Sequence, residues 1–447
     1  MMSLQTISYS PINIGRWLVW LTFVALLILA PLLFSSGGSL SLLSLMGTIM
    51  IFALSYNMLL GQSGMLSFGH AVYSGLGAFF AIHAINLSAS DSFYIPLSLV
   101  PLVGGIAGLT FGILFGYVTT KRSGTTFSMI SLGIVELVFA CSLMFPGFFG
   151  GEGGVSGNRV FGKALMGVSF GPQIQVYYLI AAWLFISTVA MFAISHTPLG
   201  RIANAVRDNP ERAEFIGYDT QRVRYLMLIL SGFFAGISGG LSAINFEIVS
   251  AENVSAARSG AVLLFTFIGG IGFFFGPLLG AIIGVLLTVM LSEITKAWLL
   301  YLGLFFILMV MYAPGGLASI IMMNFRLMAN RLFLPLLPSM LKVTSAGLLV
   351  FFSVVMLIEM TYHLSLESAQ GTSIQLFGAQ IDTAQASGWL IASIAFIVGV
   401  VVFLRSRKSF MDAWDEANAE LERRIAGSTR CVCPRWSCAK FANNLAV

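Results

Sequence analysis

Residues 196–224 read HTPLGRIANAVRDNPERAEFIGYDTQRVR. This stretch holds Arg201, Arg207, Asp208, Glu211, Arg212, Glu214, Asp219, Arg222 and Arg224, and the chain on either side of it is almost free of charge. Over 447 residues, 57% are hydrophobic and only 9% charged, and the mean hydropathy is +0.92. A soluble domain carries roughly a quarter charged residues. A chain this apolar cannot hide its surface inside a water-soluble shell. Lipid is its solvent, and the island marks a face that meets water.

Working outward, apolar runs long enough to cross a bilayer, about 20 residues each, fall at 17–34, 40–60, 66–87, 95–118, 127–146, 175–195, 225–245, 259–275, 277–295, 297–314, 344–364 and 388–404. The expected fold is an all-α polytopic membrane protein with about ten core spans and two C-terminal ones. The pair around Gly276-Pro277 reads either as two spans or as one broken, re-entrant helix. Arg16 precedes the run Trp17–Phe34, which is too long for a signal-peptide core and lacks an A-x-A-like site, so it reads as the first span.

Lysine and arginine set orientation. Lys121-Arg122, the island, Arg326/Arg331/Lys342 and Arg405/Arg407/Lys408 all fall on one side of a twelve-span chain, with both termini, and that side is expected to be cytoplasmic. The opposite loops hold Arg159, Lys163 and Arg258, with Lys296 left in a tight outer turn. Four regions follow: a core at 1–320, a linker at 321–343 with Pro335 and Pro338, two spans at 344–404, and a cytoplasmic tail at 405–447. In that tail Phe410, Trp414, Ala417, Leu421 and Ile425 recur on one helical face. Such a helix could lie on lipid, pack on a partner or stand in solvent.

Several functions are excluded. The net charge of +5 is spread over short loops rather than one stripe, which argues against nucleic acid. GNRVFGKA at 157–164 nearly spells a phosphate-binding loop but has Ala164 where a magnesium-binding hydroxyl belongs, and it sits between membrane spans. No nucleophile elbow or zinc-helix motif appears, so the chain reads as no enzyme. Cys141 reads as packing. Cys431, Cys433 and Cys438 lack a histidine after His363 and read as tail thiols, not a zinc site. No cofactor or metal is expected.

The residues with functional promise lie in three places. Two glycine-studded apolar segments stand one in each half of the core, GQSGMLSFGHAVYSGLGAFF at 61–80 and GGIGFFFGPLLGAIIG at 269–284. Glycines let helices approach closely, which explains most of them. Glycine and proline can also break a helix where it lines a route. Gln62, Ser63, Ser67 and His70 in the first segment, and Gly270, Gly272 and Gly276 in the second, are the candidate lining. Glu136, Glu293 and Glu359 are acids within spans. Glu136 could line that route, but a tie between helices is the favoured reading. The island reads as two short amphipathic helices: Leu199, Ile202 and Val206 share a face, Pro210 opens the second helix, and Gly217 stops it in a left-handed conformation.

At these residues the sequence resembles the permease subunits of branched-chain amino acid ABC importers, the LivM type. The resemblance covers roughly 40–320 and is carried by GQSGMLSFGHAVYSGLGAF, TTFSMISLGIVEL followed by FGGEGGVSG, TPLGRIANAVRDNPERAEFIGYDT, and GGIGFFFGPLLGA with APGGL. Glu211, Ala213 and Gly217 are also similar to the permease signature E-A-A-x-x-x-G, with Arg212 in place of its middle alanine. Phe149-Gly150-Gly151 stands where the family has TGG, and the last two spans extend past the usual family end. The resemblance implies that 200–219 docks on a separate ATPase, with Gly200, Arg201, Arg207, Asp208, Asn209, Glu211, Arg212, Ala213 and Gly217 as the coupling residues. It also implies two ATP-binding subunits that use the ATP, a homologous second permease, a solute-binding protein and residence among the lipids of a bacterial inner membrane. The implied solute is a branched-chain amino acid, with urea, short amides or aromatic acids as alternatives. A stand-alone channel or ion-coupled transporter is the reading of another class, and it lacks the intramembrane charge network that coupling needs.

Overall fold

The computed structural model describes residues 14–90, 95–161, 169–329, 333–367, 373–376, 379–383 and 385–429. In chain order the helices are α1 (Ile14–Leu33), α2 (Gly37–Ser63), α3 (His70–Ala89), α4 (Val100–Thr119), α5 (Thr125–Met144) and the single turn α6 (Pro146–Phe149). Then come α7 (Gln173–His196), α8 (Pro198–Asp208), α9 (Pro210–Phe215), α10 (Thr220–Phe246), α11 (Ala256–Gly269) and α12 (Gly276–Ile294). The last are α13 (Trp298–Tyr312), α14 (Gly316–Ala329), α15 (Phe333–Tyr362) and α16 (Ala386–Thr429). Two antiparallel ribbons complete the described structure, β1 (Val155–Ser156) with β2 (Ile248–Val249) and β3 (Ser373–Leu376) with β4 (Ala379–Asp382). The protein is an all-α polytopic membrane protein.

Among the described residues nine helices are long and apolar enough to cross a membrane, and α13 with α14, bent by 51°, makes a tenth if the pair is one span. Of the twelve spans expected, those at 17–34, 259–275 and 297–314 fall short as single helices. The apolar part of α1 is only Trp17–Leu33. The span expected at 259–275 is α11, 14 residues long, followed by non-helical chain up to Gly276. At 1.5 Å per residue α11 reaches about 21 Å, short of the roughly 30 Å of hydrocarbon it would have to cross. The span expected at 66–87 is present as α3, with its start set at His70 after Gly64 takes a left-handed conformation (φ 70°) and closes α2.

The helices divide into two compact units. The first comprises Met1–Met290 with Phe306–Ala318. Its centre is α10 packed along α4, α3 and α2. Gly104 and Gly108 on α4, Gly77 on α3, and Gly232 and Gly236 on α10 bring the backbones together: a methyl at Gly77 would sit 2.7 Å from Gly236 Cα and 2.9 Å from the Gly104 carbonyl oxygen. Small residues at helix contacts are how membrane helices gain packing without a hydrophobic driving force. Hydroxyls add polar ties: Ser231 donates to the Ser55 carbonyl at 2.6 Å and Ser238 to that of Thr48 at 2.7 Å.

The second unit comprises Leu291–Phe305 with Ser319–Val447. Its acid is satisfied: Glu359 accepts from Thr295 Oγ1 at 2.7 Å and from Tyr301 Oη at 2.9 Å. The 321–343 stretch is helical in its described residues, as the end of α14 and the start of α15, with Pro338 inside the latter. The last span and the tail helix are one continuous helix of 44 residues. Trp414 and Ala417 pack against Leu327 and Leu336, so this part of the amphipathic stripe is covered within the unit. The side chains of Leu421 and Ile425 lie outside the described residues, as do Cys431, Cys433 and Cys438.

Candidate functional site

The island folds as its residues dictate. Thr197 caps α8 by accepting from Gly200 N, and Asn209 caps α9 by accepting from Arg212 N at 2.9 Å. Pro198 and Pro210 hold first-turn positions, where a missing N–H costs nothing. Gly217 then turns left-handed at φ +95°, and Asp219 caps α10. Gly200, Ala203, Val206 and Ala213 face inward and are buried. Arg201, Asp208, Glu211 and Arg212 face outward, and between them the apolar side chains of Phe215 and Ile216 are 90% and 71% exposed.

Arg207 anchors the island. Its guanidinium donates to the Gly61 carbonyl in the last turn of α2 and pairs with Asp208 at 2.9 Å. A cation there complements the negative end of α2. The aliphatic stem packs so closely that a methyl at Gly64 would meet Arg207 Cγ at 2.9 Å. The same end of α2 meets the second glycine segment, since a methyl at Gly61 would lie 3.0 Å from the Ile271 carbonyl oxygen. The island thus touches the helix end that the broken segment also touches.

The first glycine segment is a break between α2 and α3. After Gly64 the chain turns back beside α5, where Phe68 N donates to Ser131 Oγ at 3.0 Å and Ser128 Oγ donates to the Leu66 carbonyl at 2.7 Å. Ser67 Oγ accepts from Gly69 N at 3.3 Å, and Ser67 O accepts from Tyr56 Oη at 3.0 Å. Ser63 Oγ returns to the Leu59 carbonyl. His70 is fully buried, with Nε2 3.0 Å from Ser55 Oγ and its ring stacked on Phe52 at 5.5 Å. His70 Nδ1 and Gln62 Oε1 are buried without a hydrogen-bond partner.

In the second segment Gly270 adopts φ +109° and packs against Gly315 and Gly316, where a methyl would overlap backbone atoms. The closing motif APGGL is therefore a seat for the helix break. Gly276 is equally tight against the Gly270 carbonyl, whereas Gly272 has open space around it. Glu136 is corrected: it is exposed on α5 and makes no hydrogen bond or ion pair among the described residues, so it ties no helices together within this chain. Glu293 is also exposed, and Glu359 is the acid that makes the helix tie.

On the opposite loops, the near-phosphate-loop turns out to be a latch. Gly157 N donates to the Glu247 carbonyl at 2.9 Å and Arg159 N to Glu247 Oε1 at 3.1 Å. The Arg159 guanidinium reaches the carbonyls of Ile244, Asn245 and Gly171 at 3.3 Å and Gln173 Oε1 at 3.1 Å. It caps the end of α10 and ties β1 to β2. Gly162, Lys163 and Ala164 lie outside the described residues. A groove of about 770 Å³ between α1, α2, α7 and α12 is walled by apolar residues such as Leu26, Met46, Ile180 and Leu278. None of the candidate pathway residues lines it. Among the described residues no group of three metal-binding side chains occurs.

Many apolar membrane-crossing helices, glycine-rich breaks and an exposed pair of capped short helices are the features of a membrane transport subunit of the permease class. The chain belongs to the family described as "Branched-chain amino acid transport system / permease component", whose profile matches residues 38–315. It is 27% identical over 322 residues to the high-affinity branched-chain amino acid transport system permease protein LivM of Escherichia coli (strain K12), covering 66% of this chain and 74% of that protein. The LivM of Salmonella typhimurium is 27% identical over 304 residues, 63% of this chain and 70% of the relative. The fructose import permease protein FrcC of Rhizobium meliloti is 24% identical over 231 residues, 45% of this chain and 59% of that protein. No solved structure matches. The described residues before 38 and after 315 lie beyond the family match, which includes all of α15 and α16.

Proposed function

We propose that this chain is one permease subunit of an ATP-driven importer in a bacterial inner membrane, and that its solute is a branched-chain amino acid. The family match over 38–315 carries the reading, and the LivM relatives supply the solute class. A second, homologous permease completes the route. Two ATP-hydrolysing subunits bind the island, and a soluble binding protein delivers the solute to the opposite face. This chain itself hydrolyses nothing.

The island is suited to receive a partner. Its inner face is buried and capped, while Phe215 and Ile216 project into solvent beside Glu211 and Arg212. Exposed apolar groups ringed by charge are typical of a protein contact. Motion imposed there passes through Arg207 to the end of α2, which borders both glycine-rich breaks.

Co-purification tests the reading. The chain, expressed with the ATPase and second permease of its host, is expected to form a stable complex that is lost on Glu211→Lys and on Gly217→Asp. Reconstituted with its binding protein, that complex is expected to accumulate radiolabelled leucine only when ATP is supplied. Uptake by the purified chain alone, without ATP, sinks the proposal.

A further inference from the structure

Arg258 is a basic residue whose place the sequence misreads. By position it belongs to an outer loop, yet the fold carries it inward. It is in the first turn of α11, and the cap of that helix, Ser255, accepts from Arg258 N at 3.3 Å. Its guanidinium carbon stands 6.0 Å from the centre of the Phe52 ring, and Phe52 lies near the middle of the 27-residue α2. The next residue, Ser259, accepts from Ala71 N at 2.9 Å, in the first turn of α3. The first turns of two helices that begin inside the membrane therefore meet beside one arginine.

The charge there is not compensated. Nη1 donates to the neutral amide oxygen of Asn253 at 2.5 Å. Nε is enclosed and bonds nothing, and Arg258 makes no ion pair among the described residues. The residue nevertheless keeps some accessible surface. An unpaired cation at membrane depth is costly and marks a functional position whose counter-charge must come from elsewhere. Both helix beginnings add positive potential at the same point. In discontinuous membrane helices such ends face anionic groups of the solute. With Nη1 occupied and Nε enclosed, Nη2 is the guanidinium nitrogen left to meet an anionic group, a charge-assisted N–H donor of the kind a carboxylate accepts from.

We infer that Arg258 binds the carboxylate of the transported solute midway through the membrane, with Phe52 holding the guanidinium in plane. This rests on the importer reading and narrows it. A solute that carries a carboxylate is accepted, whether an amino acid or an aromatic acid. Urea and simple amides, which have none, lack the group this site is built to pair.

The experiment uses the whole complex in proteoliposomes with its binding protein enclosed on the delivering side. Arg258→Gln is expected to lower ATP-dependent leucine uptake about tenfold, the loss of a charge-assisted contact. Arg258→Lys is expected to retain an intermediate rate with a raised KM. Both variants are expected to assemble with the second permease and the ATPase. In a second measurement, leucine bound to the detergent-purified wild-type complex is competed with 4-methylpentanoate, which keeps the carboxylate, and with 3-methylbutylamine, which lacks it. The acid is expected to displace leucine and the amine is not.

Wild-type uptake by Arg258→Gln, or equal competition by acid and amine, overturns the inference and leaves the importer standing. Failure of Arg258→Gln to assemble with the second permease also overturns it, because the arginine is then a subunit contact. A wild-type complex that takes up no leucine overturns the branched-chain reading itself and takes this inference with it.

Discussion

The guanidinium of Arg207 on α8 donates to the backbone carbonyl of Gly61 at the end of α2. Together with the packing of its stem on Gly64, that bond joins the exposed island to the glycine break after α2. Arg207→Ala leaves the caps of α8 and α9 untouched and removes about 1–2 kcal/mol of charge-assisted bonding, discounted for partial exposure. The complex is expected to assemble but to move several-fold less solute for each ATP hydrolysed. Measuring uptake and hydrolysis in the same proteoliposomes checks this, and an unchanged ratio rejects the link.

Gly217 tests the island's backbone alone. Its φ is +95°, and an added Cβ would meet nothing within 4 Å. Any effect of substitution is therefore conformational. Gly217→Val is expected to cost roughly 1–2 kcal/mol at a left-handed position, with weakened ATPase binding and normal membrane insertion. Gly217→Asn, which tolerates that conformation better, is expected to stay near wild type. Co-purification yield of the ATPase separates the two.

The island's second helix was legible in sequence because a proline opener and a glycine stop act locally, and α9 and Gly217 fall where those residues place them, whereas the Thr197 and Asn209 caps came to light only in the structure. The long spans were legible from apolar run length. What escaped was set by tertiary packing. GGIGFFFG stays hydropathic straight through the turn after α11, so run length counted a full span where 14 residues are helical. Arg258 followed an outer-loop count, and only the re-entry of the chain brings it to Phe52. The glycine contact between α4 and α10 has its partners more than a hundred positions apart in sequence. Arg405, Arg407 and Lys408 marked the end of a membrane span but not the end of a helix, since lysine and arginine are good helix formers.

Two glycines two residues apart in the second segment are expected to behave oppositely. Gly270 is left-handed and pressed against Gly315 and Gly316. Gly270→Ala therefore adds both strain and overlap, about 1–3 kcal/mol for the packing alone. Its thermal midpoint, followed by size-exclusion chromatography after heating, is expected to fall by several degrees. Gly272 has open space on the side where a Cβ would project. Gly272→Ala is expected to leave that midpoint unchanged.

Arg159 is a structural latch, and its removal should show that. The side chain is 11% exposed and donates to three backbone carbonyls and Gln173. Arg159→Met removes the donor of those carbonyls, at about 1–3 kcal/mol for acceptors left unsatisfied, and the solvent-screened Glu247 adds little to that cost. Low yield and early thermal unfolding are expected, with no selective change in solute preference among molecules that do fold. A folded, stable Arg159→Met with altered solute preference would mean that the loop reads the solute directly.

Two membrane acids complete the set of predictions, because their surroundings are opposite. Glu359 accepts hydrogen bonds from Thr295 and Tyr301, so Glu359→Leu takes the acceptor from both hydroxyl protons, while Thr295 Oγ1 still accepts from Ala297 N. Each donor left unmet costs about 1–3 kcal/mol, and the purified chain should unfold at a clearly lower temperature. Glu136 is exposed on α5 and bonds nothing among the described residues. Glu136→Leu removes no contact within the chain, so the thermal midpoint of the isolated subunit is expected to hold or rise. An acid facing hydrocarbon is nevertheless costly, which means the assembled transporter must cover this face with protein or water. Transport by the assembled Glu136→Leu complex is therefore expected to drop while the stability of the single chain does not. A fall in the stability of the isolated chain instead would show that Glu136 has a partner within its own subunit.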